Sequence, residues 1–327
     1  MNVITYADVL EHLTMQSEKI RAYKNDFVPE EAWRVILSLY GKDVGSFVFG
    51  HSFILLKPET IARRLSCQVI SYLAQRSFAP VAIACVELSR NAAHHIWRFQ
   101  WNAATTDRIE LTNLVNSQSP SILIMLRDCA PTSVPTAVKL WRLKGSAHAA
   151  RRTADQLHSV LGMHNRMLGF VHTPDEPADL VRELSIFFDA TELSMLLHTC
   201  RSTEQSIDDL VIQCSRAVAE LESQYSAHTV NPNEVIQRLR FSAASCAQSP
   251  VWRDYSRGQP MTLAKILAHF REYGLERDSW DVLTIAAELI EHDIKGVHAL
   301  LDAQAIDEVF AQWAAQNSQD YKFGKDL

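Results

Sequence analysis

The residue in this sequence with the clearest chemical potential is a histidine at the end of an apolar run: Leu168-Gly169-Phe170-Val171 leads directly into His172. A neutral imidazole is a nucleophile and a proton carrier, although a lone histidine after a strand is more often structural. Basic side chains cluster just upstream, at Lys144, His148, Arg151 and Arg152. Such a run serves either as a phosphate clamp or as a polar loop, and residue types alone leave both open. His94-His95 and Glu291-His292-Asp293 invite a metal reading. Adjacent residues on a helix face different ways, however, and no further ligand stands nearby, so no metal site is assigned. Trp97, Trp101, Trp141 and Trp280 read first as core anchors.

The elements that must position these residues follow from periodicity. Tyr6, Val9, Leu10 and Leu13 recur at helical spacing, and Pro29-Glu30-Glu31 opens a helix that Gly41 stops. A strand is expected over Ser46–Leu56, then a helix from Pro58 carrying Ile61, Leu65, Val69, Ile70 and Leu73. A second strand starts near Val81, a helix covers Ser89–Trp97, and a third strand lies at 121–126. A short helix over Thr136–Leu143 precedes the basic segment, a fourth strand at 168–171 ends at His172, and a helix spans 175–188. Strand-helix-strand given twice predicts an α+β, ferredoxin-like (split βαβ) antiparallel sheet with helices on one face. From about residue 204 the pattern is helical: Ser279 caps a helix expected to run to Gly296, and the tail from Gln319 reads as frayed. The expected organisation is an N-terminal helical segment (1–46), a central domain (47–195) and a mostly α-helical C-terminal domain (196–327).

Composition excludes several classes. Hydrophobic residues make 47% and charged residues 21% of the 327, an ordinary globular balance, and the formal net charge of -6 gives no footprint for nucleic acid. Six scattered cysteines form no CxxC pair, which predicts free, mostly buried thiols in a reducing compartment. No apolar run reaches membrane length and no signal peptide is recognisable, so a cytoplasmic protein without membrane contact is expected.

Two segments carry a family resemblance. SFILLKPETIARRL contains a Lys-Pro pair after an apolar run, at Lys57-Pro58, with Arg63 beyond it. GFVHTPDEPADLVRELSIFF places His172, then Asp175 three residues on, Glu183 eleven residues on, and Phe187-Phe188 at its end. Between them lie SPSILIML and VKLWR, the latter ending in Arg142. Across roughly residues 51 to 190 the chain resembles the nucleoside diphosphate kinases, and His172 falls where that family carries its phosphorylated histidine.

The resemblance implies a phosphotransferase using ATP or another nucleoside triphosphate with Mg²⁺. His172 would take the γ-phosphoryl group, Glu183 would orient the imidazole, and a small-molecule acceptor would receive the group in ping-pong fashion. Lys57, Arg63, Arg142, Arg151, Arg152, Thr173, Asp175 and Trp97 would serve the phosphates and nucleotide. A homo-oligomer is implied as well. The sequence also departs from the family. Gly169 stands where an Asn is usual, Ser159 where an Arg is usual, and Thr173-Pro174 replaces Gly-Ser after the histidine. A catalytically inactive nucleotide-binding or protein-interaction module is therefore the alternative reading.

Overall fold

The computed structural model describes residues 4–201, 206–242, 251, 257–301 and 306–316. Four strands, β1 (His51–Leu56), β2 (Phe78–Val86), β3 (Ser121–Asp128) and β4 (Val171–His172), form one sheet in the order β2-β3-β1-β4. Every pairing is antiparallel. β1 is central: Ile54 faces Ile124 across one ladder, and Leu55 faces His172 across the other. This is the split βαβ arrangement.

Helices cover both faces of the sheet, not one. Phe53, Leu55, Leu123 and Met125 point into a core with Tyr6, Leu10, Trp33, Leu180 and Leu184. The alternate residues Ile54, Leu56, Ile122 and Ile124 point into a second core with Val69, Leu73, Leu157 and Val218. The helices before the sheet (Tyr6–Leu13, Pro29–Tyr40) thus share the first core with the Pro177–Phe187 helix, while Ile207–Ser223 helps close the second. The sequence signal was present: β1 and the first part of β3 are continuous apolar runs rather than alternating ones, the mark of a strand buried on both sides.

Other boundaries moved. Ser46–Phe49 is helical, within Val44–Gly50, and β1 begins only at His51. A run that passes from buried helix into buried strand has no periodicity break to reveal the joint. The helix expected from Pro58 is two helices, Pro58–Ala62 and Ser66–Ala74, separated at Arg64 with φ 57°. β2 starts at Phe78 and carries a register shift at Pro80/Ala82. The helix capped by Ser279 ends at Leu289, because Ile290 turns extended and the following residues pair with the loop at 103–105. Thr106–Asn116 is a helix that the periodicity did not show. It joins Leu263–Glu272 and Trp280–Leu289 in a third core that includes Leu111, Leu114, Met167 and Phe270, so the C-terminal helices pack on segments of the chain on either side of β3 and β4. Cys67, Cys85 and Cys129 are exposed, contrary to expectation, and among the described residues Cys200 and Cys214 are the buried ones. Cys246 and the tail from Gln319 lie outside the described residues. Among the described residues no helix is long and apolar enough to cross a membrane.

Candidate active site

His172 ends β4, and its backbone pairing with Leu55 fixes it beside the end of β1. One residue past β1 stands Lys57, whose amide donates to the Phe170 carbonyl at 2.8 Å. That carbonyl also accepts from Thr60 Oγ1 at 2.5 Å. Phe170 holds φ 56°, a left-handed conformation that costs a bulky side chain free energy and needs surrounding bonds to hold it. Glu59 supplies another such bond: its buried Oε1 accepts from Lys57 Nζ at 2.6 Å and from the Phe170 amide at 3.3 Å. A single carboxylate therefore sets both the lysine head and the turn that delivers the histidine.

Glu183 arrives from the Pro177–Phe187 helix, and its Oε2 lies 2.8 Å from His172 Nε2. A carboxylate oxygen accepts, so in the neutral ring this contact assigns the hydrogen to Nε2 and the lone pair to Nδ1. Trp97 packs edge-on against the imidazole at 5.8 Å, and Phe53 lies on another side at 6.5 Å. Lys57 Nζ stands 5.9 Å from the Trp97 ring. His172, Glu183, Lys57, Trp97 and Asp175 all line one cleft of about 420 Å³, within the range of small-molecule sites. Gly169 lines it too; a Cβ there would meet only ordinary contacts, at 3.6 Å from Met163 Cε and 3.9 Å from Lys57 Nζ.

The helix bearing Glu183 is anchored at its start. Glu176 is its N-cap, and the carboxylates of Glu176 and Asp179 sit at its first turn, where the helix dipole favours negative charge. Glu176 Oε2 accepts from Thr14, Gln16 and Lys19, and Oε1 from the Met15 amide at 2.8 Å and Trp313 Nε1 at 3.0 Å. Lys19 Nζ also reaches Asp179 at 2.6 Å, and Tyr23 OH donates to Asp179 Oδ1 at 2.6 Å. Arg182, buried on the same helix, bonds Asp26 at 2.7 Å.

Asp175 sits in the cleft 3.8 Å from Lys144. Burial pushes its carboxyl up to about 6, with Lys144 and Lys19 opposing that and Asp179 adding to it. A carboxyl raised above its ordinary value binds its proton more tightly in the folded state, so it favours folding at low pH. That contribution is lost as pH rises from about 4 through about 6. Asp175→Asn should accordingly raise Tm by about 2–4 °C near pH 7.5. The gap to the parent should close toward about pH 4. A gap of the same size across that range, by differential scanning calorimetry, would remove Asp175 as its source.

Five of the proposed phosphate ligands lie elsewhere. Arg142 pairs with Asp307 at 3.1 Å and stacks on Phe310 at 4.2 Å, turned toward the Ile306–Ala315 helix. Arg63 donates to the Leu161 carbonyl at 3.1 Å and covers the Phe170 ring. Arg151 is exposed on a short turn, and Arg152 donates to the Met163 carbonyl at 3.0 Å. Thr173 is fully buried and contributes nothing to the cleft lining. The cleft instead holds Arg108 and Arg166, neither assigned a role from the sequence, together with Lys144 and His158. Burial drives the His158 imidazole down to about 3, so it is neutral near pH 7. Arg108 and Arg166 come from segments far apart in sequence, and both meet Asp293 of the C-terminal region. No local pattern could have announced that meeting.

The chain is similar in sequence to the nucleoside diphosphate kinases over its central part. A family model described as nucleoside diphosphate kinase matches residues 50–193. A nucleoside diphosphate kinase of Ignicoccus hospitalis is 24% identical over 151 residues, 46% of this chain and 96% of that protein. A crystal structure of an NDP kinase from Pyrobaculum aerophilum aligns with a TM-score of 0.37 and 16% identity, over 44% of this chain and 98% of that one.

Proposed function

Residues 50–193 form a divergent nucleoside diphosphate kinase-like domain, and on that premise we propose that this chain is a phosphotransferase working through a phosphohistidine at His172. The observation that carries the proposal is the 2.8 Å bond between Glu183 and His172 Nε2 at the wall of the cleft. It leaves Nδ1 as the nucleophile. The Nδ1 lone pair attacks the γ-phosphorus of a nucleoside triphosphate while the bond to the β–γ bridging oxygen breaks, and the nucleoside diphosphate leaves with that electron pair. Glu183 stabilises the charged ring that results. A second substrate then attacks the phosphorus and regenerates neutral His172. Lys57, held by Glu59, and the guanidinium groups of Arg108 and Arg166 offset charge on the phosphates.

Among the described residues no group of three or more His, Cys, Asp or Glu converges as a metal cage. A magnesium ion brought in with the nucleotide would find the Asp175 carboxylate as a nearby acceptor in the cleft and would neutralise charge on the phosphates. The lack of a side chain at Gly169, where the family has an Asn, and the burial of Thr173 away from the cleft support an acceptor other than an ordinary nucleoside diphosphate. A cytoplasmic homo-oligomer belongs to the same reading, as do the three regions 1–46, 47–195 and 196–327.

The test is intact mass after incubation with ATP and Mg²⁺ at alkaline pH, where phosphohistidine persists; a gain of one phosphoryl group is expected. Glu183→Gln should slow labelling by roughly 10- to 100-fold without abolishing it, since Glu183 orients the ring and forms no bond to phosphorus. A rate equal to the parent's, in a time course of single-turnover labelling, would remove Glu183 from the mechanism. No labelling, with a protein partner held through residues 204 to 327, would establish the inactive interaction module instead.

A further inference from the structure

Asp293 lies in the irregular segment after the Trp280–Leu289 helix, and its backbone is fastened to the wall of the cleft. It pairs with Ala104 as an isolated antiparallel bridge. The Ile294 amide donates to the Ala103 carbonyl at 2.8 Å, and the Thr105 amide to the His292 carbonyl at 3.2 Å. Thr105 Oγ1 adds a bond to the Glu291 carbonyl at 2.6 Å. The main chain is held, and the side chain projects into the cleft. There Oδ1 accepts from Arg108 Nη1 at 2.6 Å and from Arg166 Nη2 at 3.0 Å, while Oδ2 accepts from Arg166 Nη1.

A forked carboxylate on one guanidinium, shared with a second, is the arrangement that two oxygens of a phosphate group would take. Two guanidinium groups side by side repel, and the free chain supplies its own anion between them. Burial, and next the neighbouring Arg166, push Arg108 down to about 10, while Asp293 pulls the other way. The Asp293 side chain stays 40% exposed against 17% and 21% for the two arginines, so the anion is the accessible member of the trio.

We propose that Asp293 is an internal competitor for phosphate: the C-terminal region places a carboxylate on the Arg108–Arg166 pair, and a polyphosphate ligand binds by displacing it. This rests on the reading of the cleft as a polyphosphate site. Displacement needs only rotation of one side chain, because the backbone bridge at Ala104 remains in place. The ligand's affinity is thereby set by a residue outside the kinase-like domain. A ligand with several phosphate oxygens outcompetes the single carboxylate, and one with a lone phosphate is disfavoured.

The experiment is titration calorimetry with inorganic tripolyphosphate on the full chain carrying His172→Ala, so that no covalent step intervenes. Asp293→Ala and Asp293→Asn in that background should each tighten tripolyphosphate binding by about tenfold or more, since a charge-assisted competitor has gone. Arg166→Gln should weaken it by a similar factor. Equal or weaker binding in the Asp293 variants overturns the proposal. Should both variants fail to fold, a crystal structure of the unsubstituted protein with tripolyphosphate decides. The anion between Arg108 and Arg166 with Asp293 rotated away supports displacement; the anion bound elsewhere with Asp293 still on both arginines overturns it. Tighter binding in the variants together with no phosphohistidine in the parent would sink the transfer reaction and leave this inference standing. Labelling of the parent with no gain in the variants would do the reverse.

Discussion

His172→Ala should leave no base-stable, acid-labile phosphate on the protein after incubation with γ-labelled ATP, a loss of at least about 100-fold against the parent. The size follows from the proposed step: the imidazole itself forms the bond to phosphorus, and its removal takes away the atom that would be phosphorylated. Loss of the ring should cost little stability, because His172 is only part-buried at the last position of a two-residue strand. Its backbone pairing with Leu55 is untouched by the substitution. Melting temperature and labelling should therefore separate. Undiminished labelling in a variant that melts like the parent would move the phosphate to another residue and end the case for His172.

Lys19→Met is expected to have the largest effect on stability, about 3–5 kcal/mol. Lys19 is buried between Glu176 and Asp179, at 2.9 and 2.6 Å. Removing it leaves two carboxylates in a dry environment without their cation, at the first turn of the helix that carries Glu183. Burial raises the Asp179 carboxyl, but Lys19 and Tyr23 outweigh that and hold it below its ordinary value. Its contribution is therefore present above the ordinary carboxylate pKa and fades as pH falls through the lower folded-state value. The loss at neutral pH should appear as a drop in Tm on the order of 10 °C. Adding Glu176→Gln and Asp179→Asn to Lys19→Met should recover part of it, since the buried charges go together. A urea-midpoint change corresponding to less than about 1 kcal/mol would mean that water or rearrangement meets the two carboxylates.

The strand that ends at His172 and the helix after it were legible because their signals are local. His172, Asp175 and Glu183 lie within a dozen residues, and the helix between them imposes the spacing that brings Glu183 back to the ring. Lys57 follows from the antiparallel sheet once β1 and β4 are paired, whereas Trp97 reaches the ring from the end of the Arg90–Ile96 helix. The antiparallel split βαβ sheet was also readable, from four apolar runs separated by helical stretches. What was not legible depends on long-range packing. Arg142 has the right type on the right helix, but the Ile306–Ala315 helix offers Asp307 and Phe310, and the guanidinium goes there. Arg63 is consumed by a carbonyl and an aromatic face. Arg108 enters because its helix packs against Trp280–Leu289, a contact more than 160 residues away in the chain. Glu59 carries no local signal, because the amide it holds, that of Phe170, is 111 residues away in the chain.

The carboxylate of Glu176 has an implication for how this molecule is maintained as a unit. Segments that precede the sheet (Thr14, Met15, Gln16, Lys19) and one that follows it (Trp313) meet on the two oxygens of a single side chain. Any local opening that releases one segment strips hydrogen bonds from a carboxylate still serving the other. Fraying at either flank is thus penalised by the opposite flank, and the helix that orients the nucleophile unfolds with both or not at all. A protease probing the native state would find the flanks as resistant as the centre, and a loop grafted near either would be felt at the histidine.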